Sequence, residues 1–239
     1  MVGDHLHALA GSYLHSIVRD PALTCSVCST PRDREAAVCL ACASHIRSGA
    51  ALADRVASLI YAPYDTQAYQ LVRQYKTDFP GPTTLTTMKS LLAVGLRGHY
   101  VCATRLAACS QTFWAVVPST RGRPALLNLV TSLAKTTTER IVIEYDGASG
   151  RRAFEPSAWT TQADVPQDAH LVLIDDSWVS GAHAQSAASA MKAHGFSQVS
   201  VLTAARVLNP DFPANSTFVG SSLRGFDWRR CPWTGSECP

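Results

Sequence analysis

The sequence predicts an α/β protein: a parallel sheet flanked by helices, preceded by a small four-cysteine unit. Three observations carry that prediction. Short apolar runs at 113–117, 171–174 and 199–205 alternate with segments of helix-forming composition, the pattern of parallel strands joined by crossover helices. Residues 170–195, HLVLIDDSWVSGAHAQSAASAMKAHG, read in one pass as strand, acidic pair, small-residue turn and helix. Near the start, Cys25-Ser-Val-Cys28 and Cys39-Leu-Ala-Cys42 form two Cys-x-x-Cys pairs separated by ten residues.

Composition sets the outer bounds. A chain of 239 residues holds one domain of ordinary size plus a small appendage. It is 46% hydrophobic and 16% charged, so it carries enough apolar side chains for a sizeable core. A net charge of +3 is too small to argue nucleic-acid binding without a clustered basic face. No run approaches the roughly 18 apolar residues of a membrane span. The first twenty residues lack a basic start followed by an apolar signal core. The expectation is a soluble cytoplasmic protein, where thiols stay reduced and cysteine clusters bind metal.

Taken in order, Leu6, Leu9, Ala10, Tyr13, Leu14 and Ile17 recur at helical spacing and predict an amphipathic helix over 4–19, ended by Pro21. The two cysteine pairs follow, with a turn at Pro31-Arg-Asp between them. Four thiolates suit a tetrahedral zinc with no open position, hence a structural metal; disulfides or free thiols are the alternatives. Residues 50–60 read as helical and then extended, 67–75 as a helix, and 83–106 as a long helical stretch. The run 113–117 ends in a basic loop, Pro118-Ser-Thr-Arg-Gly-Arg-Pro124, before a helix over 126–135. A strand is expected at 141–145 and a polar, irregular functional loop at 146–166, which contains Arg151 and Arg152. The strand 171–174, helix from Ala182 to the stop at Gly195, and strand 199–205 complete the domain. Cys102 and Cys109 fall on one helical face and read as core. Cys231 and Cys238 in the tail read as free or packed thiols, with a second metal site or a disulfide as alternatives.

The chemistry centres on Asp175 to Gly181. Loop amides and a helix N-terminus face an anion, and adjacent carboxylates accept hydrogen bonds from ribose hydroxyls. Doubly wound receivers and phosphatases also place acidic pairs after a strand, but the second half of their signature differs.

The segment Ile174-Asp-Asp-Ser-Trp-Val-Ser-Gly-Ala182 resembles the phosphoribosyl-pyrophosphate (PRPP) motif of type I phosphoribosyltransferases. A four-cysteine knuckle ahead of such a domain resembles the ComF-like branch, associated with competence and DNA uptake. Tyr64-Asp65 with Lys76, Val117 to Arg121, and Gly195 to Arg206 resemble further segments of that branch. The resemblance implies a type I phosphoribosyltransferase fold over 58–239, with 1–57 supplying an N-terminal helix and zinc-knuckle hood. It implies Asp175 and Asp176 on the ribose hydroxyls near a PRPP-borne Mg²⁺. It implies Ser177, Trp178, Val179, Ser180 and Gly181 around the 5′-phosphate. Ser119, Thr120, Arg121 and Arg123 then meet the pyrophosphate, and Arg151 and Arg152 close over the site. Cys25, Cys28, Cys39 and Cys42 hold Zn²⁺. Asp175, Asp176 and Arg121 are the expected catalytic set, acting in phosphoribosyl transfer to an acceptor that the sequence does not name. Val179 and Ser180 stand where the family has two threonines, so one hydroxyl is missing. The competing expectation is a non-catalytic PRPP sensor or a DNA-uptake accessory with a DNA or competence-machinery partner.

Overall fold

The structure, a computed structural model, describes residues 2–33, 35–134, 139–147 and 153–239. Its elements run α1 (Val2–Ala10), β1 (His15–Ser16), α2 (Leu40–Arg47), β2 (Arg55–Pro63), α3 (Gln67–Gln74) and α4 (Pro82–Ala93). The last of these widens into a π-helical turn at Val94–His99 and continues as α5 (Tyr100–Ala107). Then come β3 (Gln111–Val116), α6 (Ala125–Leu133), β4 (Glu139–Arg140), β5 (Ile143–Tyr145) and β6 (Trp159–Thr161). The chain finishes with β7 (Ala169–Trp178), α7 (Ala182–His194), β8 (Gln198–Leu208), α8 (Pro213–Ser221) and β9 (Arg224–Gly225).

Alternating apolar positions build the central sheet. Leu171 and Leu173 of β7 pack with Phe113, Ala115, Val199 and Val201 on one face. Val172 and Ile174 pack with Trp114, Leu202 and the residues of α4 on the other. Both faces are covered, so β7 and β8 read as nearly unbroken apolar runs. The main sheet has the order β4-β3-β7-β8-β2-β1-β9. The pairs β4-β3, β3-β7, β7-β8 and β8-β2 are parallel, whereas β1 is antiparallel to both β2 and β9. The fold class is therefore α/β with a mostly parallel sheet, as the alternation of elements predicts. Strands β5 and β6 form a separate antiparallel pair.

Local chemistry sets the helix limits. The Thr66 hydroxyl caps α3 by accepting from the Tyr69 amide at 3.3 Å, and Ala68, Leu71 and Val72 turn inward. Gly95 lets the helix run approach β2, since a Cβ there would stand 2.9 Å from the Leu59 methyls. Gly195 ends α7 at φ +126°, where its freedom is needed.

Three expectations change. The first helix stops at Ala10 rather than near residue 19: Gly11 follows, and His15 and Ser16 pair with β2 and β9 instead. Leu14, Ile17 and Val18 stay buried, but from backbone outside the helix. Residues 51–54 are not helical, and β2 starts at Arg55. Of the segment 146–166, the described residues 153–166 are less irregular than their composition suggests, because Pro156–Ala158 form a 3₁₀ turn and β6 pairs with β5. The region assigned to residues 1–57 is joined closely to the rest. Leu6, Ala10 and Leu14 share a core with Met88 and Leu91, and β1 extends the main sheet. Among the described residues, no helix is long and apolar enough to cross a membrane.

Candidate functional site

The carboxyl ends of β3 and β7 lie side by side. Val116 pairs with Ile174, and the Val117 amide donates to the Ile174 carbonyl at 2.9 Å. The 118–124 loop and the Asp175–Gly181 segment thus leave the same end of the sheet from neighbouring strands, where open α/β sheets bind ligands. Ser119, Thr120, Arg121 and Arg123 are exposed there. Gly122, at φ +65°, closes a turn onto the Ser119 carbonyl, and the Arg121 amide donates to the Ser119 hydroxyl at 3.3 Å.

Strand β7 is longer than its apolar core. Asp175 still pairs with Thr203, and Ser177 and Trp178 pair with Ala205 and Arg206, so the acidic pair sits within the ladder's last turns. The two carboxylates have different surroundings. Asp176 Oδ2 accepts from Lys76 Nζ at 2.6 Å and from the Tyr75 hydroxyl at 2.8 Å, while its Oδ1 accepts from Ser177 Oγ at 2.6 Å. Asp175 Oδ1 accepts only the Asp176 amide, at 2.7 Å, among the described residues. Burial, reinforced by the neighbouring Asp176 charge, pushes the Asp175 carboxyl from its ordinary 3.8 up to about 7. One carboxylate is ion-paired with a lysine and the other changes charge near neutrality. Burial and the same Asp176 charge push the Tyr75 hydroxyl well above its ordinary range, so it stays a donor.

The 177–181 turn is held from below. Trp178 is fully buried, with its ring under Gly181. A Cβ on Gly181 would stand 2.1 Å from that ring, and the residue has φ +79°, so glycine is required twice over. Trp178 therefore offers the turn its backbone, and its indole packs with the core. Val179 is exposed. Ser180 Oγ accepts from the Ala182 amide at 3.3 Å and Gly181 caps α7, which aims the first-turn amides toward the turn. The buried Arg206 guanidinium donates to the Trp178 and Val179 carbonyls, each at 2.5 Å, and to Thr30 Oγ1 at 2.6 Å.

Thr30 belongs to the cysteine knuckle. Its oxygen accepts from Arg206, leaving its hydroxyl hydrogen for the Cys28 sulfur at 2.8 Å. A hairpin turn brings the Cys25 amide onto the Thr30 carbonyl at 2.8 Å, with Ser29 at φ +58°. Cys39 precedes α2 and Cys42 lies in its first turn, where amides favour thiolates. One sulfur from each of Cys25, Cys28, Cys39 and Cys42 lies within 4.8 Å of all the others. The Cys28–Cys42 and Cys28–Cys39 sulfur separations are 3.5 and 3.7 Å. Four soft ligands at these separations fit a tetrahedral metal ion, as the spacing of the two pairs predicts.

The structure thus brings Asp175, Asp176, Ser177, Trp178, Val179, Ser180 and Gly181 to the sheet end that also carries Ser119, Thr120 and Arg121. Arg151 and Arg152 lie outside the described residues. His183 turns away from the turn into an aromatic cluster, 4.8 Å from the Tyr145 ring and 4.5 Å from that of Trp159. Sequence reasoning missed the roles of Tyr75 and Arg206, and it quoted Lys76 without giving it a role. A Tyr-Lys pair directly after an amphipathic helix was the available signal for the first two contacts of Asp176. A scan of protein-family models and a search of curated proteins find no match to this chain.

Proposed function

We propose that this chain binds magnesium-bound PRPP at the carboxyl end of β7 and transfers its phosphoribosyl group to an acceptor. In this reading, the four-cysteine cluster holds a structural zinc. The observation that carries the reading is the convergence of the acidic pair, the glycine-containing turn and the basic 118–124 loop at one sheet end. Asp175 and Asp176 accept hydrogen bonds from the ribose hydroxyls and are oxygen donors of the kind magnesium prefers. The amides of 177–181 and the start of α7 take the 5′-phosphate. Ser119, Thr120 and Arg121 meet the pyrophosphate. As the C1–O bond breaks, positive charge grows on the sugar and negative charge on the leaving group, and Arg121 with its neighbouring amides stabilises the latter.

Calorimetric titration with PRPP and Mg²⁺ is expected to show binding that is lost in the Asp175→Ala, Asp176→Ala double variant. Wild-type binding that survives those substitutions, or no binding at all, refutes the site. Pyrophosphate release with a panel of bases and amines tests turnover.

A second reading, PRPP sensing without turnover, is favoured by Val179. Its exposed side chain stands where the resembling family carries a hydroxyl. A hydrogen bond to a charged phosphate contributes roughly 1.5–3 kcal/mol, so its loss costs about one to two decades of affinity while the backbone amides remain. Binding without pyrophosphate release across the panel selects this second reading. Val179→Thr is then expected to tighten PRPP binding.

A further inference from the structure

Four ligand-type side chains with no part in the site above meet where the helix run into α5 is covered by the C-terminal tail. His99 ends the π-helical turn, Cys102 lies in the first turn of α5, and Cys231 and Cys238 come from the tail. One donor atom from each lies within 4.8 Å of the other three, the same convergence that the first cysteine cluster shows. His99 Nδ1 is 3.4 Å from Cys238 Sγ. Around a tetrahedral zinc, thiolates at about 2.3 Å and an imidazole at about 2.0 Å stand roughly 3.5–3.8 Å from one another. The eight cysteines, all described, are free of disulfides.

The surroundings orient each ligand. The His99 Nε2 lies 3.0 Å from the Trp228 carbonyl, which can only accept, so Nε2 carries the proton and Nδ1 presents its lone pair to the thiols. The His99 carbonyl accepts from Trp233 Nε1 at 2.9 Å, fixing the same bend from the tail side. A tight turn carries the chain from Cys231 to Cys238. The Gly235 amide donates to the Cys231 carbonyl at 2.8 Å, and the Cys231 amide donates to the Ser236 carbonyl at 2.9 Å. Arg105 Nη1 donates to the Pro239 carbonyl at 2.7 Å, holding the residue after Cys238 against α5. The π-helical widening just before His99 changes the phase of the helix at the point where it supplies two ligands three residues apart, a common use of such turns. His99, Cys102 and Cys231 are buried, while Cys238 is exposed and gives a metal ion access. Three thiols leave one over from any single disulfide, and a disulfide gives His99 Nδ1 no partner. Three cysteines and one histidine form a complete structural zinc set.

We propose that His99, Cys102, Cys231 and Cys238 form a second structural zinc site, separate from the four-cysteine cluster, which fastens the 226–239 tail to the π-helical turn and α5.

The test is metal analysis of the full chain purified under reductant, combined with zinc-edge X-ray absorption. Two zinc ions per chain are expected, with seven sulfur ligands for each nitrogen over the two sites. Cys238→Ser is the primary variant because its side chain is exposed and its loss leaves the core intact. It is expected to surrender one of the two ions to a chelator that leaves the wild-type content unchanged. The Cys25→Ser, Cys28→Ser variant is expected to retain one ion with three sulfurs and one nitrogen. His99→Cys, which restores four ligands, is expected to keep both ions, and His99→Ala to lose one. A wild-type content of one zinc that Cys238→Ser and His99→Ala both retain overturns the proposal. So does a Cys231–Cys238 disulfide in chain alkylated at lysis.

Discussion

Arg206 joins the cysteine knuckle to the candidate phosphate turn, and its removal is the sharpest test of that connection. The side chain is 3% exposed. Arg206→Met keeps most of the volume and removes the donors. It leaves the Trp178 and Val179 carbonyls and Thr30 Oγ1 without the guanidinium each now meets at 2.5–2.6 Å. Hydrogen bonds to a charged donor contribute roughly 1.5–3 kcal/mol each, and three that share one guanidinium are not additive. A loss of about 3–5 kcal/mol follows. With a urea dependence near 3 kcal/mol per molar, the unfolding midpoint falls by roughly 1–1.7 M. Arg55→Met is the control: Arg55 donates to Gln198 Oε1 at 2.6 Å from a part-exposed position, and its loss should cost under about 1 kcal/mol. Hydrogen exchange supplies the local readout. Amides of 179–183 should exchange faster in Arg206→Met and not in the control. A cost below about 1 kcal/mol, or unchanged exchange in the turn at equal metal content, refutes the idea that Arg206 holds it.

Asp175 makes stability depend on pH. Its folded pKa of about 7 lies above its ordinary 3.8, so the folded chain binds more protons between those values and loses stability as pH rises through that window. Asp175→Asn should therefore gain on the wild type from pH 4 to pH 8 in denaturant titrations; a constant difference contradicts the burial of this carboxyl. Gly181→Ala combines a left-handed φ, costing about 1–2 kcal/mol, with a Cβ driven into the Trp178 ring, so a loss above 2 kcal/mol is expected. Trp178→Leu in the same chain should recover part of it in a double-mutant cycle, and additive losses would discount the contact. Lys76→Met removes the 2.6 Å ion pair to Asp176 and one of the influences that hold Asp175 down. The Asp175 carboxyl should titrate at higher pH by NMR, with stability lower by about 1–2 kcal/mol; an unmoved titration separates Lys76 from the acidic pair.

Periodicity made the sheet legible because its central strands are buried on both faces, and a run such as Leu171 to Ile174 has few other uses. The four-cysteine cluster was legible because metal geometry dictates short spacings. The first helix was misjudged because Leu14 and Ile17 are buried whichever backbone carries them. Pairing of His15 and Ser16 with β2 and with β9, the latter a contact between residues more than two hundred apart in sequence, overrides the helical pattern. The same limit hid Arg206. An arginine inside an apolar strand reads as an exception until the Trp178, Val179 and Thr30 acceptors are brought around it from two other parts of the chain. The second candidate metal cluster was split between a helix and a tail 129 residues further on, so the sequence raised a metal at Cys231 and Cys238 only as an alternative and assigned Cys102 to the core.

The two clusters occupy opposite faces of one sheet. Cys25, Cys28 and Cys42 pack with Leu171 and Leu173, whereas Cys102 and Cys231 pack with Val172 and Ile174. Arg19 lies between them. It donates to the Val56 carbonyl of β2 and, at 2.9 Å, to the Pro232 carbonyl of the tail. Burial lowers its pKa, and its interactions with Tyr61, Cys28, Cys231 and Cys25 act against that. Strands β1 and β9, at two residues each, supply few ladder bonds to hold this edge. Hydrophobic burial alone leaves short edge strands free to fray. A metal ion in each cluster would cross-link the knuckle on one face and the tail on the other, and so supply order where the ladder is thin. The knuckle then serves the candidate turn through Thr30 and Arg206, and the tail cluster serves the edge.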